Sequence, residues 1–313
     1  MALPAPAEVQ RVALLGTGTI GASWAAHFLS RGLEVIAWDP AAGAEAKARD
    51  LIERSWPAIE ALGMPAAADP DRIRFVADPA KCVAEAQFIQ ENGPENLAVK
   101  VALFERIDDA MPADAVLASS TSGLLMSELQ AGRAGAARYV LGHPFNPPHI
   151  LPLVEVLGGR ATEPGVVDWA IDFYRAQGKH AIKLDREVPG HVVDRLQVAM
   201  YREAVHLVNE GVASAKVVDE AIAHGPGLRW ALMGPLMVSH LAGGEGGVRH
   251  FLEHIGPGIE QWWADLGTPS LTPEVIDRVS TSVEAEAAGR PIAELEAERD
   301  VQLIAILKAL RAS

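Results

Sequence analysis

The sequence predicts an α/β protein in which an N-terminal domain with a mostly parallel sheet, residues 1–187, precedes an all-helical C-terminal domain, residues 188–313. A chain of 313 residues is long enough for two domains at about 150 residues each. Short apolar runs alternate with helical stretches up to residue 185, which is the pattern of parallel strands joined by crossover helices. After residue 190 only helical periodicity continues.

The strands of the first domain are predicted from short apolar runs that favour β-structure. Between these runs, residues 41–62 and 97–110 are predicted to form helices, the first because it is rich in Ala, Glu, Lys and Arg. The eight predicted strands, in chain order, are Val12–Leu15, Val35–Trp38, Ile73–Val76, Phe88–Gln90, Val116–Ala118, Tyr139–Leu141, Leu153–Val156 and Ile182–Leu184.

The second domain is predicted to consist of helices separated by glycine and proline. A long apolar helical pattern begins after Pro189-Gly190 and ends at Gly211. Thr272 and Pro273 have the residue types of a helix cap and first turn, and the last predicted helix covers residues 291–312. The breaks between the middle helices are expected at Gly225-Pro226-Gly227, Gly234-Pro235, Gly243-Gly244 and Gly256-Pro257-Gly258.

Composition excludes several classes of protein. With 27 Lys and Arg against 41 Asp and Glu, the net charge of −14 disfavours binding to nucleic acid or to an anionic membrane. The charge-free stretch Val12–Ala26 is 15 residues long and contains three glycines, whereas a spanning helix needs about 20 apolar residues. The single cysteine, Cys82, leaves no intramolecular disulfide, and no signal peptide is evident. We therefore expect a cytoplasmic protein.

A glycine-rich loop follows the first predicted strand and opens a predicted helix. In this context Gly16 allows a tight turn, Gly18 allows a pyrophosphate to approach the backbone, and Gly21 allows close packing of helix and strand. Asp39 ends the second predicted strand 18 residues after Gly21, where a carboxylate binds the adenosine ribose and repels a 2′-phosphate. The pattern predicts a Rossmann-type domain that binds NAD rather than NADP; the alternative is a glycine turn beside a surface aspartate. The predicted cofactor residues of this segment are Gly16, Gly18, Thr19, Ile20, Gly21 and Asp39.

His143 and Glu155 lie at the ends of neighbouring predicted strands. An imidazole can take the proton of an alcohol, and a carboxylate can orient that imidazole and stabilise its charge. A spacing of 12 residues does not by itself establish a contact, and most of the ten histidines are expected to be structural or solvated.

Taken together, these segments resemble the 3-hydroxyacyl-CoA dehydrogenase family over nearly the whole chain. The matching motifs are the glycine loop with Asp39, Glu91-Asn-Gly-Pro-Glu95-Asn-Leu-Ala-Val-Lys100, Ala118-Ser-Ser-Thr-Ser122, and His143-x-x-Asn146 followed by Glu155. The resemblance implies that His143 is the general acid/base and that Glu155 orients it. It further implies that Ser122 and Asn146 lie at the substrate oxygen, that Glu95 and Lys100 lie near the nicotinamide ribose, and that the helical domain forms a homodimer.

Three departures from the family pattern favour a subgroup that acts on small 3-hydroxy acids. Asp194 stands where the family commonly has Asn, the usual C-terminal ending is missing, and few lysines follow Asp39. The chain is similar to the subgroup that includes L-carnitine dehydrogenase and lambda-crystallin, an L-gulonate 3-dehydrogenase. The resemblance favours oxidation of L-carnitine to 3-dehydrocarnitine. The predicted substrate residues are Asp194, Arg195, Trp230 and Phe145, with Trp262 and Trp263 as further candidates for an aromatic site around the cation.

Alternative functions stay open at this point. The substrate can be L-gulonate or 3-hydroxybutyryl-CoA, or the chain can be a non-enzymatic, crystallin-like NAD-binding protein. The tryptophans can equally belong to the core or to a dimer interface. His250 and His254 have the spacing of metal ligands on a helix, but no third ligand is obvious, so we expect no metal.

Overall fold

The computed structural model describes residues 3–63, 65 and 67–312 and divides into two compact units. The sheet unit comprises the chain through Arg195 together with Asp300–Lys308. The helical unit comprises Leu196–Arg299 and the residues from Ala309 onward. The predicted boundary after residue 187, between an NAD-binding domain and a substrate and dimerisation domain, stays a prediction. The division into compact units does not test which residues bind a ligand.

The sheet unit is built on one eight-stranded sheet of order β3-β2-β1-β4-β5-β6-β7-β8, and every predicted strand is found. All neighbouring strands run parallel except β6 and β7, which are antiparallel. The predicted mostly parallel sheet is therefore confirmed. The strands are β1 (Arg11–Leu15), β2 (Glu34–Trp38), β3 (Ile73–Phe75), β4 (Phe88–Glu91), β5 (Val116–Ser119), β6 (Tyr139–Pro144), β7 (Leu153–Gly158) and β8 (His180–Lys183).

Two hydrophobic clusters cover the two faces of this sheet. Successive side chains of a strand point to opposite faces, so Val12 and Leu14 of β1 belong to one cluster and Leu15 to the other. Burial on both faces explains why the parallel strands are continuous apolar runs rather than alternating ones. The α-helices of this unit are α1 (Thr19–Ser30), α2 (Ala44–Leu62), α3 (Pro79–Val83), α4 (Leu97–Ile107), α5 (Met126–Leu129) and α6 (Pro164–Ala176).

The remainder of the chain is helical, and no strand follows β8 among the residues that the structure describes. The predicted cap at Thr272 is confirmed, since its hydroxyl accepts a hydrogen bond from the amide of Val275. The helices are α7 (Val193–Asn209), α8 (Ala215–His224), α9 (Pro226–Trp230), α10 (Pro235–Ala242), α11 (Gly247–Asp265), α12 (Pro273–Ala287) and α13 (Ile292–Ala312).

The helix break predicted at Gly256-Pro257-Gly258 is wrong, because α11 continues through it. Proline has no N–H to donate, so the carbonyl of Glu253 loses its partner within the helix. Glu253 and Pro257 are both exposed, so water can donate a hydrogen bond to that carbonyl. The packing of α11 as a whole on α10 stabilises the helix in spite of the poor helix propensity of this segment.

Within the described part of the chain, no helix combines the length and apolar character needed to span a membrane.

Candidate active site

The glycine loop joins β1 to α1, and backbone contacts explain two of its three glycines. Gly16 has φ of +91°, and a Cβ there would lie 2.9 Å from the backbone carbonyl of Asn92. A Cβ on Gly21 would overlap the carbonyl oxygen of Gly16, so this glycine allows helix and strand to pack closely. A Cβ on Gly18 would meet no atom within 4 Å. The backbone at Gly18 is therefore open to an approaching ligand.

Asp39 follows β2 and binds back to the glycine loop. Its Oδ2 accepts hydrogen bonds from the Thr17 amide at 2.7 Å and the Thr17 hydroxyl at 3.2 Å, and its Oδ1 accepts one from the Ala41 amide at 2.9 Å. A carboxylate has about four lone-pair sites, so one remains for a ligand hydroxyl. Asp39 thus holds the loop in shape and keeps an acceptor available beside it.

A cavity of about 630 Å³ lies at the carboxyl ends of β1, β2 and β4, the edge where ligands bind in such sheets. The residues fit a dinucleotide: the glycine loop and the N-terminus of α1 face an anion, and Asp39 offers an acceptor to a ribose hydroxyl. Thr19 and Ile20, the first two residues of α1, provide free backbone amides there. The cavity is lined by Gly16, Gly18, Trp38, Asp39, Pro40, Ala41, Glu91, Asn92, Gly93, Pro94, Val99, Lys100, Ala102, Leu103 and Arg106.

Lys100 is 1% exposed and forms a buried ion pair with Glu91 at the end of β4. Its ammonium lies 2.7 and 2.9 Å from the two carboxylate oxygens and 3.0 Å from the carbonyl of Gly93. All three N–H donors are therefore occupied. In this structure Lys100 holds the turn after β4 and lines the cavity, and its predicted place near the nicotinamide ribose stays a prediction.

Glu95 organises the loop that follows β5. One carboxylate oxygen accepts hydrogen bonds from the Thr121 hydroxyl at 2.6 Å and from the amides of Gly123 and Leu124 at 2.8 and 3.2 Å. Partial burial favours a higher pKa for Glu95, but these hydrogen bonds outweigh burial, and the pKa lies below its ordinary value. Glu95 is thus an anion beside the segment that contains Ser122.

His143 and Glu155 are directly opposite one another in the antiparallel pair β6 and β7. Opposite residues on one face of such a pair are in contact, and His143 Nδ1 lies 2.9 Å from Glu155 Oε2. Both side chains are buried, at 4% and 0% exposure. An ionised carboxylate can only accept, so Nδ1 donates its proton and Nε2 carries the free lone pair. This arrangement suits a general base.

The second oxygen of Glu155 fixes the start of α7. Oε1 accepts hydrogen bonds from the amides of Val192 and Val193 at 3.0 and 3.1 Å. Burial favours a higher pKa for Glu155, but the bonds from His143 and from the two amides outweigh it and hold the pKa below its ordinary value. One ionised carboxylate therefore connects the imidazole to the beginning of this helix.

Two of the predicted substrate residues lie beside His143. Asp194 Oδ2 is 3.7 Å from His143 Nε2, on the side opposite Glu155, and the Phe145 ring packs edge-on at 4.8 Å between ring centroids. Arg195 is exposed, and its guanidinium lies 3.4 Å from the carbonyl of Pro189. Trp230 belongs to the helical unit and is 39% exposed.

Ser122 and Asn146 are exposed residues that follow β5 and β6 at the carboxyl ends of these strands. The neighbouring hydroxyls are already engaged: Ser120 donates to Asn92, and Thr121 donates to Glu95. Ser122 and Asn146 are the exposed polar side chains at these two strand ends. Their placement agrees with the predicted contact to a substrate oxygen, which stays a prediction.

His191 was not anticipated from the sequence. It is 2% exposed, its ring centroid lies 5.4 Å from that of His143, and its Nε2 contacts the carbonyl of Thr121 at 3.1 Å. Its φ of 46° is uncommon for a residue other than glycine. Burial lowers the pKa of His191, so the ring beside His143 is neutral. The only signal in the sequence is its position after Pro189-Gly190, which does not indicate a contact with His143.

The pair His250 and His254 stacks with ring centroids 5.7 Å apart on α11. Over the described ranges, no group of three or more His, Cys, Asp or Glu residues is arranged to hold a metal ion.

Comparisons with known proteins identify the family of this chain. Residues 11–188 match the 3-hydroxyacyl-CoA dehydrogenase NAD binding domain, and residues 190–268 match the C-terminal domain of the same family. The chain is 50% identical to L-carnitine dehydrogenase of Nocardiopsis dassonvillei over 97% of this chain and 93% of that protein. It is also 50% identical to L-carnitine dehydrogenase of Streptomyces griseus over 97% and 91% of the two chains.

A solved structure similar to this one is 5-formyl-3-hydroxy-2-methylpyridine 4-carboxylic acid 5-dehydrogenase, an NAD+-dependent dismutase. It has a TM-score of 0.82 and 31% identity, covering 97% of this chain and 99% of that chain. These matches extend over both units and agree with the glycine loop and the His143–Glu155 pair. The chain belongs to the 3-hydroxyacyl-CoA dehydrogenase family.

Proposed function

We propose that this protein is an NAD-dependent dehydrogenase that oxidises L-carnitine to 3-dehydrocarnitine. The observation that carries the proposal is the position of Asp194, whose carboxylate lies 3.7 Å from the free nitrogen of the base His143. The relatives named L-carnitine dehydrogenase, at 50% identity over nearly the full chain, support the same substrate.

The His143–Glu155 pair performs the proton transfer in this proposal. His143 Nε2 accepts the proton of the substrate hydroxyl, while NAD bound at the glycine loop supplies the acceptor for the hydride. The imidazolium that forms donates from Nδ1 to the Glu155 carboxylate at 2.9 Å, which stabilises its charge. Ser122 and Asn146 orient the carbinol oxygen. His143→Ala is expected to lower turnover by about 10²-fold or more, with NADH affinity nearly unchanged.

Asp194 provides the selectivity for a cationic substrate. In L-carnitine the quaternary nitrogen is bonded to the carbon next to the carbinol carbon, so a hydroxyl on His143 Nε2 brings the trimethylammonium group close to Asp194. Coulomb attraction then favours this substrate, and the edge-on Phe145 ring adds an aromatic surface near the methyl groups. Arg195 is the candidate for the substrate carboxylate.

The alternative substrates lack this cation. CoA has about four negative charges, and a chain with a net charge of −14 would not attract it. L-Gulonate has neither a cation for Asp194 nor a methylammonium group for Phe145. A crystallin-like role without catalysis is disfavoured by the intact His143–Glu155 pair.

The test compares L-carnitine with 3-hydroxybutyrate, which keeps the carbinol and carboxylate but has no ammonium group. The wild type is expected to prefer carnitine by about thirtyfold or more in kcat/KM, and Asp194→Asn to lose most of that preference. Asp185→Asn, an exposed aspartate before α7, is the matched control and should keep the preference. A preference for gulonate or 3-hydroxybutyrate, or no NADH from any substrate, would overturn the proposal.

We also propose a cytoplasmic homodimer formed through the helical unit. Its large apolar side chains, among them Leu232, Leu236, Trp262 and Trp263, are 65–79% exposed, which is unfavourable in water unless a second chain covers them. The lone buried Cys82 fits a reducing compartment. Light scattering that gives the mass of one chain at micromolar concentration would contradict the dimer.

A further inference from the structure

Two acceptor atoms lie next to each other at the centre of the site. His143 Nε2 and Asp194 Oδ2 are 3.7 Å apart, too far for a hydrogen bond between them. Across the described residues, no hydrogen bond to protein engages either of these two atoms. A secondary alcohol has one hydroxyl hydrogen and can satisfy only one of the two acceptors. In the oxidation of a simple alcohol the second acceptor is therefore left to water, since the Asp194 side chain is 27% exposed.

We infer that this site also oxidises the hydrates of small aldehydes to carboxylic acids. A hydrated aldehyde has two hydroxyl groups on one carbon, with oxygens about 2.3 Å apart by tetrahedral geometry, and each can donate a hydrogen bond of about 2.7 Å. These two bonds diverge and match acceptors 3.7 Å apart. One hydroxyl binds His143 Nε2, and the other binds Asp194 Oδ2.

This inference rests on the proposed function, whose oxidant, NAD⁺, also balances the oxidation of a hydrate. The hydrate R–CH(OH)₂ loses its carbon-bound hydrogen as a hydride to NAD⁺, and the hydroxyl proton on His143 moves to Nε2. The O–H bond of that hydroxyl breaks as its C=O bond forms, which gives R–COOH, NADH and one proton. The second hydroxyl keeps its hydrogen bond to Asp194 during the transfer, so this carboxylate fixes the orientation of the hydrate.

A cationic aldehyde fits both parts of the site. The hydrate of trimethylammonioacetaldehyde has the same ammonium, methylene and carbinol groups as L-carnitine, with a hydroxyl group in place of the carboxymethyl group. Its cation can use the attraction of Asp194 and Phe145 in the way proposed for carnitine. A hydrated ketone has no hydrogen on the reacting carbon, so it cannot transfer a hydride.

The first experiment measures NADH formation from trimethylammonioacetaldehyde and NAD⁺, with the acid product identified by mass spectrometry. The wild type should form NADH and trimethylammonioacetate in equal amounts, and His143→Ala should lose this reaction together with carnitine oxidation. If the wild type oxidises carnitine but forms no acid from the aldehyde, the inference is overturned while the proposed function stands. If neither substrate is oxidised, the proposed function fails as well.

The second experiment isolates the role of Asp194 with two uncharged substrates, acetaldehyde, which is partly hydrated in water, and 2-butanol, a secondary alcohol with one hydroxyl group. Asp194→Ala should lower kcat/KM for acetaldehyde more than for 2-butanol, by about tenfold or more, as expected for a lost hydrogen bond to a charged acceptor. Asp194→Asn, whose amide oxygen still accepts, should recover part of this difference. Equal losses for the two substrates in both variants would refute the second hydrogen bond.

A binding measurement without turnover completes the test. In the absence of NAD⁺, calorimetry of trimethylammonioacetaldehyde with the whole protein should give weaker binding for Asp194→Ala than for Asp194→Asn. Equal affinities of the two variants would show that Asp194 does not accept a hydrogen bond from the hydrate, which would also overturn the inference.

Discussion

Replacing Glu155 with glutamine tests the central feature of the site at a single position. Glu155 is fully buried, and its two oxygens accept from His143 Nδ1 and from the amides of Val192 and Val193. Glutamine has nearly the same shape but only one acceptor oxygen and no charge. Glu155→Gln therefore keeps the packing and removes either the bond to the imidazole or the bonds to the start of α7.

The expected loss follows from the charge that forms on His143 during oxidation. A hydrogen bond to an ionised partner contributes about 2–3 kcal/mol, and most of this is realised only when the imidazole becomes imidazolium. The loss corresponds to about 30- to 150-fold in turnover. NADH is predicted to bind at the glycine loop, which Glu155 does not contact, so its affinity should change little.

Steady-state NADH formation with carnitine measures turnover, and fluorescence titration measures NADH affinity. Glu53→Gln, an exposed glutamate on α2, is the matched control and should behave like the wild type. The variant should also lose stability at neutral pH. Because folding lowers the pKa of Glu155 below its ordinary value of 4.5, that stability difference should shrink as the pH falls below about 4.5. Turnover within about threefold of the wild type, about 0.7 kcal/mol, would refute the role of Glu155 as the partner of the base.

Three further predictions concern the rest of the sheet unit. NAD should be preferred over NADP by about tenfold or more in kcat/KM, and Asp39→Ala should reduce this preference while raising the KM for NAD, because the Thr17 amide loses its acceptor. Equal use of both cofactors by the wild type would contradict this. Gly21→Ala should lower the Tm, whereas Gly18→Ala should leave the Tm unchanged and weaken NADH binding. A lower Tm for Gly18→Ala with an unchanged Tm for Gly21→Ala would contradict these roles of the two glycines. Burial lowers the pKa of Lys179 to about 7, so the free energy of unfolding should rise by about 1.4 kcal/mol per pH unit from pH 7.5 to 9.5 in urea titrations. That slope should be absent in Lys179→Met, and an unchanged slope would exclude Lys179 as its source.

The fold of the sheet unit was predictable because its signals are local. All eight strands are apolar runs bounded by turn residues, and burial on both faces of a parallel sheet requires such runs. The glycine loop was predictable for the same reason, since Gly16 and Gly21 are each required by backbone contacts within the strand–turn–helix segment and with the next strand end. The break at Gly256-Pro257-Gly258 was wrong because α11 as a whole packs on α10, and packing of the helix outweighs the low propensity of one segment.

The chemistry of the site depends on contacts that the sequence does not specify. The 12-residue spacing of His143 and Glu155 becomes a contact only because β6 and β7 are antiparallel and in the observed register. Lys100 forms a buried ion pair with Glu91, which follows from the path of the chain after β4 and not from the spacing of the two residues, and its predicted ligand contact stays a prediction. The His191 ring lies beside that of His143 because the backbone of His191 is in the left-handed region. No residue pattern in the sequence predicts that conformation.

Glu155 also connects His143, the proposed base, to Asp194, the proposed specificity residue. Its Oε2 sets the tautomer of His143, and its Oε1 holds the amides of the two residues that immediately precede Asp194. The 3.7 Å separation between Asp194 Oδ2 and His143 Nε2 is therefore a consequence of one buried carboxylate that binds on both sides. Substitutions at Glu155 and Asp194 share this connection, so their effects on kcat/KM are expected to be non-additive. In the proposed function, the sheet thus sets, through Glu155, where Asp194 attracts the substrate cation relative to the nitrogen of His143 that accepts the proton.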